Sequence, residues 1–329
     1  MEWFESLALL LGSILVLMAI GMPVALAFLA ANIVGAWFFM GGAKGVTLLL
    51  NNGFGGLTNY ALVPIPLFLL MGEIFFYTGL GKRMFNAIDR LLGKLPGRLS
   101  YVTVLGGTAF STLSGSSMGS TALLGSLMVP EMTERGYKKH MSIGPILGTG
   151  GLAIIIPPSA LAVLLATLAR IDVGALLIAG IIPGLILASL YIATIYIQTR
   201  IDPDAAPAYE VEDLRFGQKM RLFFGDVVPM LSVMVVIVIG MVGGLITPSE
   251  AAAFGALGVL ILAFRCLTWE AMKKSVIGAM RVTLMAYLIV FGSATFSQLL
   301  AFSGASSGLI RWATSFDLAP VAMLLVMFG

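Results

Sequence analysis

Charge-free apolar runs dominate the chain, at residues 6–43, 45–72, 99–130, 140–169, 173–199, 227–249, 251–264 and 282–310. All except 251–264 are long enough to place helix across a hydrocarbon layer, so the pattern predicts a polytopic α-helical membrane protein. The first run holds 38 residues, about 57 Å as one helix against a core of about 30 Å. Gly21-Met22-Pro23 lies at its middle. Proline lacks an amide donor and clashes with the preceding turn, so two shorter helices are expected. The run at 99–130 poses the same problem, with Ser114-Gly115-Ser116-Ser117 near its centre. Small polar residues cannot face lipid, so an in-and-out hairpin over 99–131 is expected to turn there.

Composition agrees with this solvent assignment. Hydrophobic residues make up 59% and charged residues 11% of the 329 positions, and the mean hydropathy is +1.03. A soluble domain carries about 25% charged residues. The length allows roughly nine or ten crossings with short loops. The net charge of +3 reports orientation and does not point to nucleic acid. The first run follows Glu2 and Glu5 without a positive charge, so it is expected to be retained and not cleaved as a signal peptide. Cys266 is the single cysteine and reads as a small buried hydrophobe.

Sixteen of the 19 basic residues fall in the stretches 81–98, 131–139, 200–221 and 265–281. With the first run split and 99–131 folded as a hairpin, these stretches share one side. That side is expected to be the cytoplasm, with the N-terminus periplasmic.

An internal repeat emerges from the same landmarks. Pro23 and Pro248 each open an apolar helix, Gly79 and Gly304 each end one, and both pairs are 225 residues apart. The stretch after Gly79 is rich in Lys and Arg, whereas the one after Gly304 carries only Arg311. Opposite charge bias is what opposite orientation produces, so an inverted-topology repeat is expected. The organisation is then a first repeat at 1–199, comprising helices, an amphipathic stretch at 81–98, the hairpin at 99–131 and a broken helix at 141–168. A cytoplasmic linker follows at 200–223, and a second repeat at 224–329. The counterpart of the hairpin tip would fall near 339–342, so the second repeat is expected to be incomplete here.

Two segments could carry chemistry. The tip Ser114 to Ser117 offers hydroxyls and free backbone groups at membrane depth. Helix amino ends attract anions, and carbonyl ends suit a hard cation such as sodium. Close helix packing through Gly115 and Gly119 is the structural alternative. The second segment runs from Gly148 to Ser159, where Gly150, Gly151, Pro157, Pro158 and Ser159 interrupt an apolar run. Carbonyls that lose their helical partners there must be satisfied by protein, water or an ion. Both segments together form the expected substrate and ion site, with sodium at Ser114, Ser117 and Gly151. Glu73, the one acid well inside an apolar run, is either a functional carboxylate or a group reaching Lys82 or Arg83 at the interface. Glu250, three residues after Thr247, reads as a helix cap.

With one histidine, His140, a metal cluster is not expected. No phosphate-binding Gly-rich loop with Lys and Ser/Thr is present, so ATP is not the direct energy source. No catalytic residues and no cofactor are expected. An intramembrane enzyme would need a nucleophile with a base or a metal cluster at depth, and none is seen.

Three blocks in this order carry a family resemblance: Leu113 to Ser117 with Met128-Val129-Pro130-Glu131-Met132, Gly151 to Ser159 ending in Ile-Pro-Pro-Ser, and Gly244 to Ala252 containing Ile-Thr-Pro-Ser-Glu. Together they make the chain similar to the large permease subunit, DctM-like, of tripartite ATP-independent periplasmic (TRAP) transporters. That family's usual subunit is longer, with a second hairpin and a second Pro-Pro break. The resemblance implies an elevator-type fold of inverted repeats in the bacterial inner membrane, performing sodium-driven uptake of an organic acid. It makes the amphipathic stretch at 81–98 an interfacial arm helix. It implies two partners beside the bilayer, a small membrane subunit and a periplasmic substrate-binding protein. An ion-coupled anion carrier that needs no binding protein is the other reading.

Overall fold

The computed structural model describes residues 2–93, 95–115, 117–207 and 215–316. Among them the regular structure is helical throughout. In chain order the helices are α1 (Trp3–Ala19), α2 (Val24–Phe39), α3 (Ala43–Leu57), α4 (Pro64–Tyr77), α5 (Leu80–Leu92), α6 (Arg98–Ser114), α7 (Ser117–Glu134), α8 (Lys139–Ile155), α9 (Ala160–Ala169) and α10 (Val173–Ile201). After a short 3₁₀ turn at Pro203–Ala205 come α11 (Phe216–Leu222), a π turn at Phe223–Val227, α12 (Val228–Val242), α13 (Pro248–Ala263), α14 (Trp269–Phe302) and α15 (Ala305–Thr314). The predicted splits fall where proline and glycine put them. Gly21 takes a left-handed φ of 91° between α1 and α2, and Pro23 stands immediately before α2.

Among the described residues, four continuous helical stretches are long and apolar enough to cross a membrane: residues 60–77, 173–201, 216–242 and 269–302; the bent pair α8 and α9 makes a fifth. Helices α1, α2 and α13 are apolar but shorter, at 16 or 17 residues, about 25 Å each. The breaks that divide the long apolar runs are what shorten them. Apolar side chains face outward along these helices, with Ile182 and Phe38 exposed by 70% and 75%. In water such a belt would cause aggregation; here lipid is its solvent.

The chain forms two compact units, one of residues 1–59 with 284–329, the other of residues 60–283. In the first, α2 packs on the distal part of α14. Leu10, Ala31, Ala36, Phe296 and Leu299 are buried together, and Asn32 donates to the Gly292 carbonyl at 2.8 Å and to Thr295 Oγ1 at 2.7 Å. In the second, α4 packs on α13, and α6, α7 and α8 pack mutually. Phe75 and Phe85 close on Phe110, with ring centroids 5.6 and 6.0 Å apart. At the start of α13, Thr247 and Glu250 form the expected cap, with Glu250 Oε2 accepting the Thr247 amide at 2.7 Å.

Landmarks recur at the spacing read from the sequence. Helices α1 and α12 begin at 3 and 228, α2 and α13 at 24 and 248, α5 and α15 at 80 and 305. Gly79 and Gly304 hold the same left-handed conformation, φ 75° and 76°. Helix α1 packs on α15 in one unit, and α5 packs on the π turn before α12 in the other. One difference is local. The counterpart of α3 and α4 is the single 34-residue α14. Pro64 and Pro66 interrupt the first stretch, and Ile289 and Phe291 stand at their places in the second. Helix has also resumed by Phe216, inside the stretch expected as linker, because Phe216, Met220, Phe223 and Phe224 continue an apolar helical face.

Candidate functional site

The first break lies between α6 and α7. Helix α6 ends at Gly115, whose φ of 58° is left-handed, a conformation glycine adopts without a Cβ penalty. Its amide donates to the Ser111 carbonyl at 3.0 Å. The Ser114 hydroxyl lies 2.7 Å from that of Ser120, tying one side of the break to the first turn of α7. The Ser117 carbonyl accepts from Thr121 Oγ1 at 2.9 Å. Ser116 lies outside the described residues.

The second break lies between α8 and α9, which are bent by 49°. Ile156 is extended, Pro157 and Pro158 follow, and Ser159 caps α9. The Ser159 hydroxyl accepts from the Ala162 amide at 3.2 Å and donates to the Ile154 carbonyl at 2.9 Å. It therefore satisfies one carbonyl of α8 and one amide of α9. Two glycines of α10 make room for this bulge. A Cβ on Gly180 would stand 2.2 Å from the Ile155 carbonyl oxygen, and one on Gly184 would stand 2.2 Å from the Ile156 side chain.

The two breaks meet inside the second unit. A Cβ on Gly115 would be 3.6 Å from the Ala160 amide nitrogen and 3.8 Å from the Pro158 carbonyl oxygen. Gly150 abuts α7, where its Cβ would overlap Thr121 Oγ1 at 2.2 Å and approach the Ser117 carbonyl at 3.5 Å. Gly115 thus neighbours Pro158 and Ala160, and Gly150 neighbours Ser117 and Thr121; Ser114 adjoins the first pair through the α6 terminus. Gly151 differs, since a Cβ there would meet nothing within 4 Å; close packing does not require that glycine. The carbonyl end of α6 comes beside the amide starts of α7 and α9. One place therefore offers partial negative charge suited to a cation and partial positive charge suited to an anion.

Helix α4 lies against this place through Gly72. A Cβ there would be 2.1 Å from the Ser114 carbonyl oxygen and 2.5 Å from its Cα. A cavity of 180 Å³ opens beside it, lined by Glu73, Phe110, Ser114 and Gly119 among others. Glu73 faces α14, its carboxylate 2.8 Å from where a Gly278 Cβ would stand. Lys82 and Arg83 are not its partners: Arg83 bonds Asp226 at 2.5 Å. Gly72, Ser120 and Thr121 were not among the residues expected from the sequence. Ser120 and Thr121 were findable, being three and four residues along the helix from Ser117. Gly72 carried no local signal.

Broken helices and an outward apolar belt define an all-α polytopic membrane protein. The family model described as the tripartite ATP-independent periplasmic transporter DctM component matches residues 11–328, and the chain belongs to that family. The C4-dicarboxylate TRAP transporter large permease protein DctM of Pseudomonas aeruginosa is 31% identical over 274 residues, covering 82% of this chain and 62% of that protein. The isethionate TRAP transporter permease protein DctMQ of Oleidesulfovibrio alaskensis is 29% identical over 300 residues, 89% of this chain and 46% of that protein. The 2,3-diketo-L-gulonate TRAP transporter large permease protein YiaN of Escherichia coli is 30% identical over 289 residues, 87% of this chain and 66% of that protein. The chain thus spans about half to two thirds of the length of these relatives.

Proposed function

We propose that this chain serves as the large transmembrane subunit of a sodium-coupled secondary transporter that imports an organic acid delivered by a periplasmic binding protein. The observation that carries the reading is the approach of Gly115, at the end of α6, to Pro158 and Ala160, at the start of α9. An acid group binds at the amide starts, and sodium binds at the carbonyl end. The donors nearest the breaks are hydroxyl and carbonyl oxygens, a set that fits a hard cation. Ser114, Ser117 and Gly151 would hold the ion, which supplies charge neutralisation to the bound acid. The relatives' names support an anion of this kind, since C4-dicarboxylate, 2,3-diketo-L-gulonate and isethionate carry carboxylate or sulfonate groups.

In this reading the 225-residue recurrence is an inverted repeat, the N-terminus is periplasmic, and the membrane is the bacterial inner membrane. The small membrane subunit is a separate chain or, as the name DctMQ suggests for one relative, joined to the large one. Uptake into vesicles, with a panel of carboxylates, an imposed sodium gradient, and binding protein present or absent, tests the proposal. Uptake should require both sodium and the binding protein, and Ser117→Ala should weaken the sodium dependence. Transport indifferent to the binding protein would point to a stand-alone carrier. An unchanged sodium titration in Ser117→Ala would remove that residue from the site.

A further inference from the structure

A second polar site lies away from the breaks, where α5 faces α11 and the π turn. We infer that this cleft binds the phosphate of an anionic phospholipid. It is an open cleft of 370 Å³ with Lys82, Arg83 and Arg90 on one wall and Asp226 on the other. An adjoining cleft of 340 Å³ adds Gln218 and Arg221. Arg83 is paired with Asp226 across the cleft at 2.5 Å, so that carboxylate is engaged. Lys82, Arg90 and Arg221 have no carboxylate within ion-pair distance among the described residues. Lys82 and Asn86 in the first cleft, Gln218 and Arg221 in the second and Arg90 in both, the three cations lacking a carboxylate partner among the described residues, form a receptor for an anion rich in acceptor oxygens.

Depth selects the source of that anion. Helix runs unbroken from Phe216 to Val242, 27 residues, or about 40 Å against a hydrocarbon core of about 30 Å. If Val242 marks the far boundary of the core, the near boundary falls close to Phe223, and the cleft residues of α11 sit in the headgroup layer. Phe216 and Phe224 are 78% and 58% exposed, on the face of this helix away from the cleft, where they anchor it in the interface. Helix α5 is amphipathic in the same sense. Leu80, Met84 and Phe85 are buried against the protein, and its exposed face carries Lys82, Arg83, Asn86 and Arg90. Basic pockets at this depth recognise lipid headgroups. A soluble anion meets the same charges but gains nothing from the surrounding interface.

The test is lipid retention by the purified chain, followed by native mass spectrometry after exchange into mixed micelles containing phosphatidylglycerol or phosphatidylcholine. Phosphatidylglycerol should be retained and phosphatidylcholine should not. Each Lys or Arg near an anionic surface is worth about fivefold in affinity, so Lys82→Gln with Arg90→Gln and Arg221→Gln should reduce retention on the order of 100-fold. The charge-conserving triple variant Lys82→Arg, Arg90→Lys, Arg221→Lys should keep it, which separates lost charge from lost folding. Equal retention of both lipids, or full retention by the neutralised variant, would overturn the proposal. Displacement by millimolar glycerol 1-phosphate would overturn the lipid assignment in favour of a soluble anion.

Discussion

The two compact units place their buried polar groups to opposite ends. In the first, Asn32 and Thr295 clamp two unbroken helices together, and the Thr295 hydroxyl returns its proton to the Phe291 carbonyl at 2.6 Å. In the second, Ser114 and Ser120 meet beside the first helix break, and Ser159 bonds across the second. A hydrogen bond between intact helices adds rigidity in lipid, where water offers no competing partner. A hydroxyl beside a broken helix instead satisfies backbone that the break has bared. The first unit's polar bridge therefore joins intact helices, whereas the second unit's hydroxyls sit where helices break.

The largest expected effect comes from closing the approach of α4 to the first break. Gly72→Val would drive a side chain into the Ser114 backbone, which has no rotamer to yield, and should cost more than about 3 kcal/mol. Loss of monodisperse protein on size exclusion is the expected outcome. The matching change in the first unit, Gly35→Ala, meets the Leu299 Cδ2 atom at 2.3 Å, the end of a flexible side chain. It should cost only about 1 kcal/mol. Comparable thermal stabilities for the two variants would show that the contacts at Gly72 are not the rigid ones described.

Gly115→Ala probes the break itself. Its Cβ finds ordinary contact distances, so the penalty is the left-handed backbone, about 1 to 2 kcal/mol. The variant should fold, with a lowered melting temperature and altered sodium dependence of uptake. Asn32→Leu is its counterpart in the first unit. Interhelical polar bonds in membranes average about 0.6 kcal/mol, so the loss of two should lower stability by about 1 kcal/mol while leaving the sodium titration in place. A shifted titration in Asn32→Leu with an unshifted one in Gly115→Ala would reverse the roles assigned to the two units.

Much of this division was legible in the sequence because proline and glycine act locally. Pro23, Pro248, Pro157 and Pro158 interrupt or open helices, although Pro130, Pro145 and Pro183 lie inside them, and Gly79, Gly115 and Gly304 stand at helix ends in the left-handed conformation that glycine adopts cheaply. The two segments of the candidate site were found by that logic. Their partners were not. Gly72 is one of 39 glycines, and only the fold shows that it lies on Ser114. Glu73 could have paired with the nearby Lys82 or Arg83, yet Asp226, 143 residues away from Arg83, takes the arginine. The division into units was equally hidden, since residues 1–59 associate with 284–329 through side chains such as Asn32 that look unexceptional in sequence.

The smallest expected effect concerns the far ends of the broken helices. The Lys138 amide at the start of α8 donates to the Ala205 carbonyl at 2.9 Å, and the Gly97 amide at the start of α6 donates to the Ala206 carbonyl at 3.2 Å. Lys138 also binds the Asp202 carboxylate through its ammonium group. One short segment thus ties together the two helices whose other ends form the site. The hydrogen bond from Lys138 holds the Asp202 carboxyl below the ordinary aspartate value of 3.8. A carboxyl with a depressed folded pKa contributes stability that is fully present above its unfolded value and is lost as the pH falls through the folded one. The pair is exposed, so the contribution is small and screened by salt. Asp202→Asn should melt slightly below the parent protein at neutral pH and together with it in acid below the folded pKa. A gap that persists unchanged to that acidity would mean that Asp202 acts through packing and not through its charge.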